Sequence, residues 1–183
     1  MIRIFPVAGG AQYTNDWGYP RGGGRTHKGN DLFAAEGTPL LAVDDGEVRF
    51  GTDPFGGQVA ALYPTGENVR YYYAHLSAYE GDAPRQARAG EVIGYVGHTG
   101  TAENTAPHLH FEMHPERNYL NAVNPYPSLQ EASIAQAPNG GGGFSIAGRR
   151  IAPAVALLAA GAIAAGVWAY MNPTAARRLV RSV

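Results

Sequence analysis

The chain has 183 residues, enough for one domain of ordinary size with some length to spare. It contains no cysteine, which excludes disulfides, thiolate zinc ligands and thiol nucleophiles. Residues 1–130 carry 9 Lys/Arg against 14 Asp/Glu and residues 131–183 carry 5 against 1, so the larger part is acidic. This argues against a nucleic-acid partner, because binding to a phosphate backbone depends on clustered cations. The N-terminus also lacks the basic and apolar regions of an ordinary cleavable secretory signal.

Residues 1–129 are predicted to form a mainly β, antiparallel domain. MIRIFPVA predicts the first strand, and TPLLAVDDGEVRFGT predicts two strands joined by a hairpin at Asp45-Gly46. The stretches QVAALYP, VRYYYAHL, GEVIGYVG and PHLHFEM predict further strands. No window before residue 130 has a sustained apolar period of 3.6 residues, so an all-β domain is expected.

The C-terminal part has a different composition. Residues 130–150 include four consecutive glycines, which is typical of a flexible tether. Residues 151–171 have no charged side chain and would span about 31 Å as a helix, which predicts a single transmembrane segment. Trp168 and Tyr170 suit a membrane interface, and residues 172–183 form a basic tail. The alternative is a buried alanine-rich helix.

Small residues recur within the predicted transmembrane segment. Gly161, Ala162, Ala165 and Gly166 form small-xxx-small pairs that would allow two such helices to self-associate. The tail has three arginines and the opposite flank has two. This difference favours an orientation with the tail on the inner side of the membrane and the head on the outer side.

Two histidines flank one leucine in PHLHFEM. In a strand, His108 and His110 would point to one face while Leu109, Phe111 and Met113 point into the core. Paired imidazoles above an apolar layer suit metal ligation or proton transfer. The alternative is an ordinary polar sheet face.

A second cluster lies in GGGRTHKGNDLF. His27 and Asp31 are four residues apart and would share a face in an extended segment, and the glycines allow the backbone to bend. Imidazole and carboxylate are both good zinc ligands, although an exposed hydrogen-bonded pair would look the same. Three protein ligands would leave a fourth position for water, whose pKa zinc lowers toward about 7.

A third element is YYYAHLS. Alternation places Tyr71, Tyr73 and His75 on one face of a strand and Tyr72, Ala74 and Leu76 on the other. The two tyrosines would then either line a substrate groove or pack within the sheet.

Taken in order, H-x-G-x-D, Y-A-H-L-S and P-H-L-H-F-E resemble the motifs of the lysostaphin-type zinc endopeptidases, the LytM/lysostaphin-like family that cleaves peptidoglycan peptides. The similarity covers about residues 20–128 and includes A-G-E-V-I-G-Y-V-G-H-T-G and N-P-Y-P-S-L. It implies an antiparallel sheet of the duplicated-hybrid-motif kind.

The resemblance also implies roles for five residues. His27, Asp31 and His110 would bind one zinc ion, and His75 and His108 would be the catalytic histidines. One of the latter pair would take the proton of the attacking water, and either could stabilise the oxyanion or protonate the leaving amine.

Two features depart from the family pattern. The loop T-G-T-A-E-N-T-A-P-H is two residues longer than the usual T-G-x-S-T-G-P-H and has Ala106 where glycine is usual, which affects the expected substrate preference. His98 and His114 match no catalytic position and are expected to be a loop residue and a strand-end residue.

The sequence therefore predicts a membrane-anchored zinc endopeptidase acting on bacterial peptidoglycan peptides. Its location would be either a membrane-containing phage virion, as a lysin, or a bacterial envelope with the head on the wall side. One alternative is an inactive zinc- or peptidoglycan-binding module of the same fold. Another is a structural or pore-forming membrane protein in which the C-terminal helix acts.

Overall fold

Eight strands form one antiparallel sheet. The computed structural model describes residues 2–134 and the backbone of residues 144–146 and 149–151. The strands are β1 (Asn30–Phe33), β2 (Pro39–Leu41), β3 (Gly46–Asp53), β4 (Gly57–Pro64), β5 (Val69–Tyr79), β6 (Arg85–Ala87), β7 (Val92–Val96) and β8 (His108–Pro115). They pair in the order β1-β8-β5-β4-β3-β6, and β7 joins β5 to β2. This confirms the prediction of a mainly β, antiparallel domain.

The core lies on one face of β8 and β5. Leu109 and Phe111 of β8 are fully buried there, as the alternation in PHLHFEM predicts, and Met113 packs against the core with its side chain partly exposed. The Phe111 ring stacks on Tyr71 and meets Tyr73 edge-on, with centroids 5.9 and 5.2 Å apart. The opposite face of β8 is therefore free to carry polar groups.

A bulge in β5 changes which residues share a face. The pairing of β5 with β4 shifts between Gln58 and Ala60, opposite His75, and His75 has a left-handed backbone with φ of 67°. Alternation restarts after this point, so Leu76 is buried in the same core as Tyr71 and Tyr73 while His75 faces the other way. The predicted grouping of His75 with the two tyrosines is wrong for this reason.

The N-terminal segment makes only isolated bridges and no regular strand. Ile4 pairs in parallel with Ser133, and Val7 pairs antiparallel with Leu40. The two bridges have different partner segments and opposite directions, and Pro6 between them has no N–H to donate. The predicted first strand is therefore wrong as an element, although its side chains do bury in the core.

The predicted hairpin at Asp45-Gly46 is also wrong. β2 pairs with β7, and β3 pairs with β4 and β6, so the chain turns a corner between β2 and β3. Arg3 Nη1 holds that corner by donating to Asp44 Oδ1 (2.8 Å) and Asp45 Oδ2 (3.0 Å). The Ala89 amide also donates to Asp45 Oδ1, at 2.8 Å.

The chain divides into two compact units, of which the first is Met1–Pro138. A short helix, α1 (Tyr126–Glu131), follows the last strand of the large sheet in this unit. Only Leu129 of this helix is buried. A helix of six residues with one buried side chain has no repeating apolar pattern by which the sequence could predict it. Ordered pairing continues to Ser133, whose carbonyl accepts a hydrogen bond from the Phe5 amide at 2.9 Å. This is four residues past the predicted end of the domain at residue 129.

A second unit begins at Asn139 and contains two antiparallel strands, β9 (Phe144–Ile146) and β10 (Arg149–Ile151). They fall within the range predicted as a tether and at the first residue of the predicted transmembrane segment. The rest of residues 151–171 and the tail at 172–183 lie outside the described residues. Within residues 2–134 and these two strands, no helix has the length and apolar character needed to cross a bilayer.

Gly29 offers a test of the packing of β1 against β8. A Cβ at Gly29 would lie 2.3 Å from the Phe111 carbonyl oxygen, whereas one at Gly22 would meet nothing within 4 Å. We expect Gly29→Ala to destabilise the fold by about 1–3 kcal/mol, the usual cost of overpacking. Gly22→Ala is the matched control and should change stability by less than about 0.5 kcal/mol. Urea unfolding with chelator present measures both, and equal stability of the two variants would contradict the close approach.

Candidate active site

Three candidate metal ligands meet where β1 pairs with β8. Asp31 lies directly opposite His110 in the antiparallel register. His27 precedes β1, and its backbone N–H donates to the Tyr19 carbonyl at 2.9 Å. The loop between Tyr19 and His27 turns through Gly23 and Gly24, whose φ values of 74° and 73° favour glycine.

The ligand atoms of these residues form a tight triangle. His27 Nε2 lies 2.8 Å from His110 Nδ1 and 3.1 Å from Asp31 Oδ1, and His110 Nδ1 lies 3.0 Å from Asp31 Oδ1. Two imidazole nitrogens and one carboxylate oxygen make a set that suits zinc. The three residues that the sequence selects are therefore brought together as one candidate metal site.

Each ligand is oriented through its other polar atom. His27 Nδ1 lies 3.0 Å from the Asp16 carbonyl oxygen, and His110 Nε2 lies 2.8 Å from Glu112 Oε1. Arg21 Nη2 donates to Asp31 Oδ2 at 2.6 Å. Partners of this kind fix the tautomer and direction of metal-binding histidines and carboxylates. The donor set and its supports thus fit a divalent ion.

Burial and charge shift the titration of these groups strongly. Burial tends to raise the pKa of Asp31, but hydrogen bonds from His110 and His27 hold it well below its usual range. Burial opposes the charged form of His110 too, yet Asp31 and Glu112 raise its pKa to about 9. The pKa of His27 is also raised, because Asp16 and Asp31 together outweigh its burial. The site is therefore built around a carboxylate that stays ionised.

Two further histidines lie beside this triangle. The His75 ring centroid is 5.0 Å from that of His108 and 5.9 Å from that of His110. His75 Nδ1 and His108 Nδ1 each lie 2.8 Å from a backbone carbonyl oxygen, of Thr99 and Ala106 respectively. Carbonyls only accept, so Nδ1 carries the proton and Nε2 is left as the basic nitrogen.

Burial lowers the pKa of both of these histidines. For His75 the rings of His108 and His110 add to the effect, and the pKa falls to about 4. For His108 burial outweighs the attraction of Asp31. Both side chains are therefore neutral near pH 7.

The two tyrosines suggested as groove residues lie in the core instead. Tyr71 and Tyr73 are 0% exposed. The Tyr73 hydroxyl donates to the Leu41 carbonyl and accepts from the Val43 amide, both at 3.1 Å. A substrate cannot reach side chains buried in this way, so packing is their role.

The loop that departs from the family pattern supplies the two orienting carbonyls. It begins with a 3₁₀ turn at Gly100–Ala102, and the Thr101 amide donates to the Phe55 carbonyl at 2.9 Å. Ala106 contributes its main-chain oxygen to His108, so the replacement of glycine by alanine leaves that contact intact.

Four polar residues surround the site without having been predicted to do so: Asp16, Arg21 and Glu112, which no motif selects, and His114, which is expected only as a strand-end residue. Glu112 and His114 continue the period of two that begins at His108, so the same alternation could have found them. Asp16 and Arg21 lie in the long segment before His27, where no pattern predicts which side chains turn toward the site. Of the two unassigned histidines, His98 is a loop residue as expected, and His114 lies near the end of β8.

Comparison with known proteins agrees with this geometry. Residues 25–125 match peptidase family M23. The DD-carboxypeptidase/endopeptidase Mpg of Neisseria meningitidis is 40% identical over 114 residues, which cover 61% of this chain and 26% of that protein. The glycyl-glycine endopeptidase ALE-1 of Staphylococcus capitis is 38% identical over 118 residues, covering 62% and 32%. The L-Ala–D-Glu endopeptidase of Bacillus subtilis is 34% identical over 136 residues, covering 68% and 41%.

Solved structures show the same similarity. The catalytic domain of lysostaphin from Staphylococcus simulans has a TM-score of 0.61 and 34% identity, covering 66% of this chain and 92% of that domain. A zinc-containing peptidase from Vibrio cholerae has a TM-score of 0.56 and 25% identity, covering 67% and 38%. The chain thus spans less than half the length of these three curated relatives but nearly all of the lysostaphin catalytic domain. On the match of its motifs, fold and site, the chain belongs to peptidase family M23, that of the lysostaphin-type metallopeptidases.

Proposed function

We propose that this chain is an active zinc-dependent endopeptidase that hydrolyses peptide bonds of bacterial peptidoglycan. The observation that carries the proposal is the joint placement of five groups. His27, Asp31 and His110 present three ligand atoms 2.8–3.1 Å apart, and two histidines whose Nδ1 atoms are bound to backbone carbonyls lie beside them. An inactive module of the same fold would not need those two additional imidazoles to be oriented.

His27 Nε2, Asp31 Oδ1 and His110 Nδ1 would hold the metal. When bound there, zinc supplies Lewis-acid chemistry, polarising a carbonyl group and lowering the pKa of water toward neutrality. The protein contributes a buried, preformed ligand set whose tautomers are fixed by Asp16 and Glu112.

His75 and His108 would move the protons. Each donates from Nδ1 to a backbone carbonyl, so each offers the lone pair of Nε2 to accept a proton from water. After accepting it, the same nitrogen can donate to the developing oxyanion or to the leaving amine. The His75 backbone is held as well, because its N–H donates to the Gly56 carbonyl at 2.7 Å.

The substrate class is a peptide segment of peptidoglycan. The names of the three relatives describe cleavage of D,D, glycyl-glycine and L-Ala–D-Glu peptides. These differ in the residues around the cut bond, so the shared chemistry is peptide hydrolysis. The longer loop before β8 is the segment that we expect to set the preference of this chain among them.

We also propose that residues 151–171 anchor the protein in a membrane, with residues 130–150 as the tether and 172–183 as the tail. The support is the uncharged composition of the segment and the arginines on both sides of it. The enzyme would then act on the wall side of a bacterial envelope, or be carried as a lysin in a membrane-containing phage virion.

The roles of the two histidines in H-x-H can be separated by substitution. We expect His108→Ala to lower cleavage of peptidoglycan by about 10²–10⁴-fold, the usual contribution of a general acid or base, while zinc stays bound. His110→Ala should lose both zinc and activity, because it removes one of three ligands. Metal content and mass spectrometry of released fragments measure the two properties.

His98→Ala is the matched control for these variants and should retain both zinc and activity, since His98 is 38% exposed on its side-chain surface and 3.7 Å from Glu36. An active, zinc-loaded His110→Ala protein would overturn the ligand assignment.

Removal of the metal should abolish cleavage reversibly. Treatment of the full chain with chelator is expected to stop fragment release from peptidoglycans with D,D cross-links, glycine bridges or L-Ala–D-Glu stems, and added zinc should restore it. Zinc at about 1,000 times its Kd should also stabilise the fold by about 4 kcal/mol through ligand linkage. A protein stabilised by zinc that cuts none of the three substrates would be a binding module, which contradicts the proposal.

The anchor is tested by a charge in its centre. Placing an arginine at the middle of a transmembrane helix costs about 2.5–3.5 kcal/mol on the insertion scale. We therefore expect the full chain in the membrane fraction of expressing cells, and Leu158→Arg largely in the soluble fraction. Leu158→Ala is the control. Release of the unmodified full chain from the membrane fraction by alkaline carbonate would argue against a spanning helix, because carbonate extracts proteins that do not cross the bilayer.

A further inference from the structure

His114 is a buried polar residue to which neither the sequence motifs nor the proposed reaction gives a role. Its exposed fraction is 1%, which makes it the most deeply buried histidine of the six. A buried imidazole needs hydrogen-bond partners, because an unpaired polar group loses its hydration without compensation. The identity of its partners therefore shows what His114 does.

The first partner of His114 connects it to the metal site. His114 Nε2 donates to Glu112 Oε2 at 2.6 Å, and His110 Nε2 donates to Glu112 Oε1 at 2.8 Å. Both oxygens of one carboxylate are thus used, one by each imidazole. His110 keeps Nδ1 for the triangle with His27 and Asp31.

The second partner is part of a turn that is built at some cost. His114 Nδ1 lies 3.3 Å from the Asn118 carbonyl oxygen. The turn that brings this carbonyl over His114 has two consecutive non-glycine residues in the left-handed region, Glu116 and Arg117, with φ of 58° and 55°. Such conformations persist where the surrounding structure requires them. The turn is fastened by the Asn118 amide, which donates to the Pro115 carbonyl at 3.1 Å.

We propose that His114 is a positioning residue for the metal ligand His110, and that it acts through Glu112. The Asn118 carbonyl fixes the His114 ring, His114 fixes the direction of the Glu112 carboxylate, and Glu112 fixes the proton of His110 on Nε2. Nδ1 of His110 is thereby left as the nitrogen that would bind the metal, on the side of His27 and Asp31. This inference rests on the proposed zinc site. It adds His114, which is connected to that site through Glu112 and His110, to the residues that set the affinity of the protein for zinc.

The direct test is the affinity of the full-length protein for Zn²⁺, measured by competition with a chelating fluorophore and without any substrate. His114→Phe keeps the ring but removes the donor, and we expect it to weaken zinc binding about 10–100-fold, as loss of an outer hydrogen-bond partner does. His114→Gln can still donate to Glu112 and should recover part of this loss. Wild-type affinity in His114→Phe would overturn the proposal.

A double variant separates positioning from simple support of the fold. If His114 acts through Glu112, then Glu112→Ala together with His114→Phe should bind zinc no more weakly than Glu112→Ala alone. Additive losses would show that His114 acts by another route and would overturn the proposal. Global destabilisation alone leaves the zinc affinity of the folded protein unchanged, so circular dichroism at the titration temperature confirms that each variant is folded.

Two further variants keep the test decisive. His98→Phe makes the same substitution at a loop histidine and should retain wild-type zinc affinity. If His114→Phe does not fold, His114→Met removes the donor with a more adaptable side chain and carries the same expectation. A wild-type protein that shows this dependence of zinc affinity on His114 but cuts no peptidoglycan would refute the proposed function and leave this inference standing.

Discussion

The register of β1 against β8 is the constraint on which the site depends. It sets Asp31 opposite His110 and Phe33 opposite His108. A slip of one residue would turn both histidines into the core and expose Leu109 and Phe111, because side chains alternate along a strand. Exposing either apolar side chain would cost roughly 1.5–3 kcal/mol. Hydrophobic burial on one face of β8 therefore holds the polar groups of the other face in place.

Main-chain carbonyls orient the histidine rings of the site. Asp16, Thr99 and Ala106 each place a carbonyl oxygen within 3.0 Å of a histidine nitrogen, and each comes from a loop rather than a strand. A carbonyl contributed by the backbone is insensitive to the side chain of the residue that carries it. The side chains at these three loop positions can therefore vary while the tautomers of the histidines stay the same.

Much of the site follows from local sequence patterns, and the remainder depends on distant contacts. The period of two in PHLHFEM predicts the faces of His108 and His110, because a regular strand has one alternation. YYYAHLS misleads because the bulge at His75 depends on pairing with β4, which the segment itself does not encode. The hairpin expected at Asp45-Gly46 is absent because Arg3 and Ala89, far away in the chain, bind that corner.

The left-handed backbone at His75 has a consequence for how this protein changes over generations. Only glycine adopts such a conformation at no cost, with asparagine next, so the histidine that we propose for proton transfer is not the residue that the backbone conformation favours. Selection for a sturdier fold alone would replace this imidazole. If the proposed activity is lost in a descendant, we expect glycine to replace His75 early, so the residue at this position would distinguish active from inactive descendants.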